Sequence, residues 1–421
     1  MEAGMKILVV GSGGREHAIC RALATTPGTT LFAAPGNPGT AVLGENLDVA
    51  ADDIAGLVST ARSIPVDLVV PGPEAPLVAG LADALHEIGI PCAGPSAAAA
   101  RLEGSKAFTR ALTEASGVPS PAFRVVERSA DLDRALAAFQ SPPVVKADGL
   151  AGGKGVFLPD TLEECREAAA DLLSGRLGSA GARVVLEQRL EGVEASWFHA
   201  CRGTDVVPLP HGMDYKRLQD GDEGPNTGGM GAVSPNPVVP GALEGDVRES
   251  IVLPTLRRMQ REGTPFRGFL FSGLMVTSEG PMLLEYNVRL GDPETQAILP
   301  RLPDGAFSEV CAWVSGLSDD RPRIVFDDRV TCAVIVATDG YPESPRIGDG
   351  VTLGDGLETA DRWFIHAGTA RDGQGLRTAG GRVGAVVARG DDLDDARRSA
   401  YAGVDLIQWP GMHYRSDVGD V

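Results

Sequence analysis

The 421-residue sequence predicts an α/β fold of two to four domains, opening with a parallel sheet and closing with a small α+β unit. Three observations carry that expectation. Short apolar runs alternate with helical patterns through the first hundred residues, the texture of strands joined by crossover helices. Hydrophobic residues are 43% and charged residues 23% of the chain, which marks it as globular rather than disordered. Past about Arg323, strands separated by Gly/Asp turns replace the strand–helix alternation.

Lys6 to Val10 (KILVV) reads as a buried strand and Arg15 to Ala24 as a helix. Thr30 to Ala34, Asp67 to Val70 and Ile90 to Ala93 are further strands, with a helix over Pro76 to Glu87. Ligands of such sheets bind beyond the carboxyl ends of the strands. Two loops stand there: GSGGREH at 11–17 and PGPEAPL at 71–77. Leu102 to Gly117 is helical and stops at a Gly C-cap. Strands Ala122 to Val126 and Val144 to Ala147 flank a helix over Ala130 to Phe139, and the glycine loop DGLAGGKG follows at 148–155. Asp160 to Glu163 (DTLE) is a capping signature for a helix through Leu173. Val184 to Gln188 and Ala195 to Cys201 are strands, and residues 214–232 form a long polar loop of functional length. A helix over Leu243 to Gln260 precedes a hairpin of Phe269 to Val276 and Met282 to Glu285. The C-terminal unit has strands Val330 to Ala337, Trp363 to Ala367 and Val383 to Ala388 and a final helix over Asp392 to Asp405.

A net charge of −19 removes any global attraction for nucleic acid or anionic lipid, so phosphates must be held by local groups. Aromatics at 5% exclude a base-stacking platform. Six cysteines, at 20, 92, 165, 201, 311 and 332, form no C-x-x-C pair, which argues against a zinc site or redox dithiol and for reduced thiols in the cytoplasm. The start MEAGMKILVVGSGG is no signal peptide, and no apolar run approaches membrane-spanning length.

GSGGREH falls short of the dinucleotide fingerprint: Glu16 stands where the third glycine belongs, and no acid follows in Phe32 to Gly36. A strand, a glycine turn and a helix N-terminus still predict an anion site, with Arg15 as a fork. DGLAGGKG fails as a P-loop, having Asp148 and Gly155 at the required Gly and Ser/Thr positions. It reads instead as a glycine flap able to fold over phosphates, after a strand whose Lys146 points into a site. The strongest constellation is LLEYNVRLGDPE at 283–294. Strand geometry puts Glu285, Asn287 and Arg289 on one face. A carboxylate beside an amide oxygen suits Mg²⁺, and an arginine next to them can hold a carboxylate or acyl phosphate.

Several segments in chain order then resemble one family: KILVVGSGGREHAI, PGNPGT, GPEAPLVAGLADAL, GPSAAAARLEGSKAF, VVKADGLAGGKGV, LEGVEAS, GPNTGGMGA and LEYNVRLGDPETQ. Together they are similar to the phosphoribosylamine–glycine ligases (glycinamide ribonucleotide synthetases), ATP-grasp enzymes of purine biosynthesis. The resemblance runs from about residue 5 to Gly419, and its GPNTGGMGA and RLGDPETQ segments are specific to that family. It implies ligation of glycine to 5-phosphoribosylamine, driven by ATP through glycyl phosphate, with Mg²⁺ or Mn²⁺. It implies phosphate contacts from Lys106, Lys146 and the flap residues Gly149, Gly152, Gly153, Lys154 and Gly155. Glu187 and Leu190 fall at the adenine, Glu194 at the ribose, and Glu285 and Asn287 at the metal. Gly13, Gly14, Arg15, Glu16 and Glu74 fall around the two remaining substrates, as do Asp214, Lys216, Asn226, Thr227, Gly228, Gly229, Arg289, Gly291 and Asp292. Arg289, Lys146 and Asp214 are the implied catalytic residues.

The resemblance further implies a Rossmann-like domain over 1–103, an ATP-grasp core over 104–324 with a mobile lid at 123–192, and a cap over 325–421. Its small-molecule partners are ATP, glycine and 5-phosphoribosylamine, with no nucleic acid or membrane, in a monomer or weak homodimer. Two departures are visible. The strand FLFSGLMV at 269–276 lacks the second metal acid of many ATP-grasp enzymes, and Tyr215 stands where relatives often show His.

Overall fold

In the computed structural model, which describes residues 4–152 and 155–421, KILVV lies at the middle of a parallel sheet. Lys6–Gly11 is flanked by Thr30–Pro35 and Leu68–Pro71, with the two-residue strand Glu45–Asn46 at one edge. Ile7 to Val10 are wholly buried because helices cover both faces, as an uninterrupted apolar run requires. Ile90 to Ala93 is not a strand. It makes two backbone hydrogen bonds with Val69 and then turns away at Gly94-Pro95.

Two expected helices are each two. Pro76 to Glu87 breaks at Gly80, whose φ of +94° is left-handed, giving Glu74–Val78 and Leu81–Glu87. Leu102 to Gly117 breaks at extended Ser105, giving Ala97–Gly104 and Lys106–Ser116. The Ser105 hydroxyl caps the second helix by accepting from the Phe108 N–H at 3.1 Å.

Residues 123–187 contain a separate antiparallel sheet in the order Phe123–Val126, Val184–Glu187, Val144–Ala147, Val156–Phe157. Helices Leu132–Leu136 and Leu162–Leu173 pack against it through Leu132, Leu136, Cys165, Ala169 and Leu172. The cap of the second helix lies one residue later than the DTLE reading: Thr161 accepts from the Glu164 N–H, and the Glu164 carboxylate accepts from the Asp160 N–H.

The next sheet is antiparallel, ordered Asp205–Pro208, Val193–Arg202, Arg267–Thr277, Gly280–Asn287. Helix Leu253–Arg261 buries Leu256 and Met259 against Trp197, Leu270 and Tyr286. The polar stretch 214–232 is not one loop. Met213–Asp214 and Gly231–Ser234 are strands, and Arg217–Gln219 pairs with Glu223–Asn226 as a hairpin. Its side chains show no apolar alternation because the hairpin is held by backbone pairing and by polar contacts, Arg217 Nη1 donating to the Gly224 carbonyl at 2.7 Å and the Gly221 N–H to Asp417 at 2.8 Å. Met213–Asp214 and Gly231–Ser234 continue into the C-terminal sheet, followed by Val330–Ala337, Arg382–Gly390 and Arg362–His366, with helix Leu393–Val404 packed on it. Among the described residues, no helix is long and apolar enough to cross a membrane.

The N-terminal sheet is joined to the C-terminal one by an imidazole. His17 Nδ1 accepts the His366 N–H at 2.9 Å, so His17 is neutral and fixes a loop. Asn37 adds a bond from Nδ2 to the His366 carbonyl at 3.0 Å. Burial, then His366 and Arg21, hold the His17 pKa well below its ordinary value. Burial, then Arg371, bring His366 down to about 4. Such groups stabilise the fold above their unfolded value near 6.5, and the contribution is lost as pH falls toward about 4. Urea stability should therefore drop through that window. His17→Gln, which keeps an acceptor for His366, should flatten the drop, and an unchanged slope in urea titrations would remove His17 as its source.

Candidate active site

Four of the loops singled out in the sequence meet. Arg15 Nη1 donates to the Leu290 carbonyl at 3.2 Å, joining the first loop to RLGDPE. Arg289 joins the same segment to Glu74 of the second loop, Nε to Oε2 at 3.2 Å. Asp292 accepts from Arg382 Nη2 at 2.8 Å, and the same guanidinium reaches the carbonyls of Gly228 and Gly229. The Gly228 N–H also donates to the Tyr341 hydroxyl at 2.9 Å. Arg382 thus pins GPNTGG against GDPE, and Tyr341 holds the Gly228 backbone from the same C-terminal region.

The first loop differs from the anion cradle expected of it. Glu16 turns back and accepts the Gly13 N–H at 2.6 Å, while its other oxygen accepts from Arg15 at 2.7 Å. The carboxylate is wedged against Gly72 so closely that a Cβ there would stand 1.9 Å from Oε1. A carboxylate of the chain itself therefore takes the donor at this helix start, and the Arg15 fork is committed to Glu16 and Leu290. Gly14 packs against the Gln296 side chain.

Glu285 and Asn287 end the strand Gly280–Asn287. Burial would raise the Glu285 pKa, but Lys216, Lys146, Lys106 and Arg289 outweigh it and hold the carboxyl below its usual range. Opposite Glu285 on the neighbouring strand is Gly273, so no second carboxylate stands across from it. The Asn287 amide satisfies its neighbours when its nitrogen donates to Glu103 Oε1 at 2.9 Å and to the Tyr286 carbonyl, leaving the oxygen for a cation. Among the described residues, no group of three His, Cys, Asp or Glu could hold a metal. An ionised carboxylate and one amide oxygen are a partial hard-ligand set. They fit a Mg²⁺-like ion that shares substrate phosphates and water.

Sequence reasoning missed Glu103. One oxygen accepts the Val288 N–H at 2.7 Å, and the other accepts Arg289 Nη2 at 3.0 Å and the Asn287 amide. Arg289 therefore lies between Glu74 and Glu103.

Lys106 and Lys146 are brought together by Asp148, which accepts from the Ser105 hydroxyl at 2.9 Å and the Ala107 N–H at 2.7 Å. The Lys106 N–H donates to its carbonyl. Lys146 is buried, with Nζ 2.7 Å from Glu187 Oε2 and bonded to the Leu284 carbonyl at 3.3 Å. Glu187 lies under the strand end with its carboxylate committed to Lys146 and Arg110. Leu190 lies in the connection to Val193–Arg202, and Glu194 on that strand pairs with Lys216. Of the flap, Gly149 donates to the Ala180 carbonyl, Gly152 is left-handed at φ +54°, and Gly155 accepts from the Ala147 N–H. Gly153 and Lys154 lie outside the described residues.

Asp214 Oδ1 is buried without a hydrogen-bond partner among the described residues. Burial, then the Glu294 carboxylate, raise the Asp214 pKa well above the carboxylate range. Glu294, also missed in the sequence, is buried and accepts from Ser196 Oγ at 3.0 Å. Gly229 at φ +105° and Gly291 admit these carboxylates closely, a Cβ at each falling 2.7 Å and 2.4 Å from the acid oxygens. Asn226 closes the exposed hairpin, and Thr227 donates to the Lys216 carbonyl at 2.9 Å.

Family models described as the phosphoribosylglycinamide synthetase N domain, ATP-grasp (A) domain and C domain match residues 5–103, 104–295 and 331–421. A curated phosphoribosylamine–glycine ligase of Streptomyces coelicolor is 46% identical over 418 residues, 98% of each chain. One of Phenylobacterium zucineum is 46% identical over 99% of each. The crystal structure of phosphoribosylamine–glycine ligase from Thermotoga maritima is similar at a TM-score of 0.86 and 33% identity, covering 98% of this chain and 99% of that one. The biotin carboxylase domain of Hydrogenobacter thermophilus 2-oxoglutarate carboxylase, at TM-score 0.76 and 14% identity over 98% and 92%, shares the fold.

Proposed function

The chain belongs to the phosphoribosylglycinamide synthetase family, and on that premise we propose how its site joins glycine to 5-phosphoribosylamine. It is an ATP-dependent ligase forming glycinamide ribonucleotide in purine biosynthesis. The observation that carries the site reading is the convergence of the four loops beside a Glu285 carboxylate ringed by cations. Phosphoryl transfer needs positioning and charge neutralisation rather than a nucleophilic side chain, and this arrangement supplies both.

Lys106 and Lys146 would hold the ATP phosphates, under the flap of 149–155. Leu190, Glu194 and the strand end at Glu187 would border the nucleoside. The family uses a divalent metal, here Mg²⁺ or Mn²⁺, which Glu285 and Asn287 would hold and which would offset charge on the transferring phosphoryl group. In the proposed sequence the glycine carboxylate takes the γ-phosphoryl group, giving glycyl phosphate and ADP. The amine of 5-phosphoribosylamine then attacks the acyl carbon, and phosphate leaves. Arg289 would orient the acyl phosphate, and the unpartnered oxygen of Asp214 would accept from a substrate amine. Gly13, Gly14, Arg15, Glu16 and Glu74 would line the phosphoribosyl side, with Lys216, Asn226, Thr227, Gly228, Gly229, Gly291 and Asp292 on the glycine side. Closure of the lid, 123–192, would exclude water from the acyl phosphate. We read 1–103 as the phosphoribosyl domain, 104–324 as the ATP-grasp core with that lid, and 325–421 as the cap. Six free cysteines support a reducing, cytoplasmic setting, and we read the active form as a monomer or weak homodimer.

Purified protein should form the amide, releasing ADP and phosphate, only with ATP, glycine and 5-phosphoribosylamine all present. Glycine-independent ADP release would overturn the reading. Lys146→Met should weaken ATP binding about tenfold, or about 1.4 kcal/mol. Calorimetry returning the unmutated affinity would remove Lys146 from the phosphate site.

A further inference from the structure

Arg110 belongs to none of the segments that marked the site, yet it is among the largest wholly buried side chains, at 2% exposed. It leaves helix Lys106–Ser116 and grips two sheets at once. Its Nε and Nη2 hold both oxygens of Glu187, on the lid sheet, at 2.6 and 2.7 Å. Its Nη1 and Nη2 donate to the carbonyls of Leu283 and Leu284, on the core sheet, at 3.0 and 2.6 Å. Lys146 shares both acceptors, reaching Glu187 at 2.7 Å and the Leu284 carbonyl at 3.3 Å. Two buried cations thus divide the Glu187 carboxylate and share the Leu284 carbonyl, which immediately precedes Glu285 on its strand.

We propose that Arg110 is a positioning residue that lets Lys146 leave Glu187 for the nucleotide phosphates, by keeping the Glu187 carboxylate compensated whichever way the lysine points. This rests on the reading of Lys146 as a phosphate contact. A buried carboxylate stripped of its only cation is strongly disfavoured. With the bidentate arginine in place, the lysine gives up one ion pair and Glu187 stays paired at both oxygens. Without Arg110, Lys146 becomes the sole counter-ion of Glu187 among the described residues, and its departure toward ATP carries that penalty. The same fork joins the lid strand to the core carbonyls, so lid and metal strand stay in register while the lysine moves.

The test is ATP binding by calorimetry, with KM and kcat, in Arg110→Gln, Arg110→Lys and Arg110→Gln/Glu187→Gln, each checked for folding by thermal melting. Arg110→Gln should weaken ATP about tenfold and raise the KM for ATP while leaving that for glycine unchanged. Adding Glu187→Gln removes the trap, so the double variant should bind ATP more tightly than Arg110→Gln alone. A residue of merely structural worth predicts the reverse, because the second change deletes another buried bond. Should Arg110→Gln not fold, Arg110→Lys, which retains charge but loses the fork, should show the same KM split at smaller size. Unmutated affinity in a folded Arg110 variant, or no recovery in the double variant, would overturn the proposal. Unmutated affinity in Lys146→Met would instead overturn the phosphate reading beneath it.

Discussion

Replacing Glu285 with alanine should lower turnover by about a hundredfold or more while shifting the melting temperature only slightly. The carboxylate is held in its charged form by four cations despite burial, so it is available to a metal at neutral pH. Packing at this strand is carried by its neighbours Leu283 and Tyr286, which are buried in the core, whereas Glu285 is half-buried and belongs to no apolar cluster. Its loss therefore removes a ligand without opening a cavity. Glu285→Gln, which keeps the volume, should lose nearly as much. Steady-state rates at saturating Mg²⁺ beside melting curves decide it, and an unaltered kcat would refute the metal assignment.

Arg289→Met should act on stability first, by about 3 kcal/mol. It removes the cation that holds Glu74 and Glu103 and leaves two largely buried carboxylates facing one another. Glu103 also positions the Asn287 amide and the Val288 backbone, so the damage reaches the metal strand. The double variant Arg289→Met/Glu103→Gln should regain part of the lost stability, because one of the stranded charges is gone. Chemical denaturation of the single and double variants measures this. Equal stability in both would mean that Glu103 is not what Arg289 compensates.

The motifs legible in the sequence are those whose chemistry is local. GSGGREH, GPNTGG and RLGDPE announce themselves by glycines and charges within a few residues, and the structure brings them together. What escaped is what acts over long separations. Arg110 meets Glu187 77 positions away, and Arg15 meets the Leu290 carbonyl 275 away. Arg382 reaches GPNTGG from 154 positions downstream, and nothing in its own surroundings marks it. Within elements, the errors have local causes. Apolar spacing runs smoothly through Gly80 and Ser105, so the pattern hides two helix breaks that backbone conformation and capping impose. Helix Ile54–Ser63 was readable from Asp53, whose side chain accepts the Gly56 N–H at 2.9 Å, but its amphipathic pattern is short.

The sheet shared between Met213–Asp214, Gly231–Ser234 and the C-terminal strands limits how this chain can be cut and recombined. Gly231–Ser234 has Val330–Ala337 as its partner along its full length, so deleting the C-terminal region would leave an open edge and scatter the residues that Arg382 and Tyr341 anchor. That region is no detachable cassette, and chimaeras joined near residue 325 should be insoluble or inert. The four-stranded unit between Phe123 and Glu187 has its own sheet and apolar cluster, but a graft between relatives must keep the partners that Glu187, Lys146 and Asp148 find in the core.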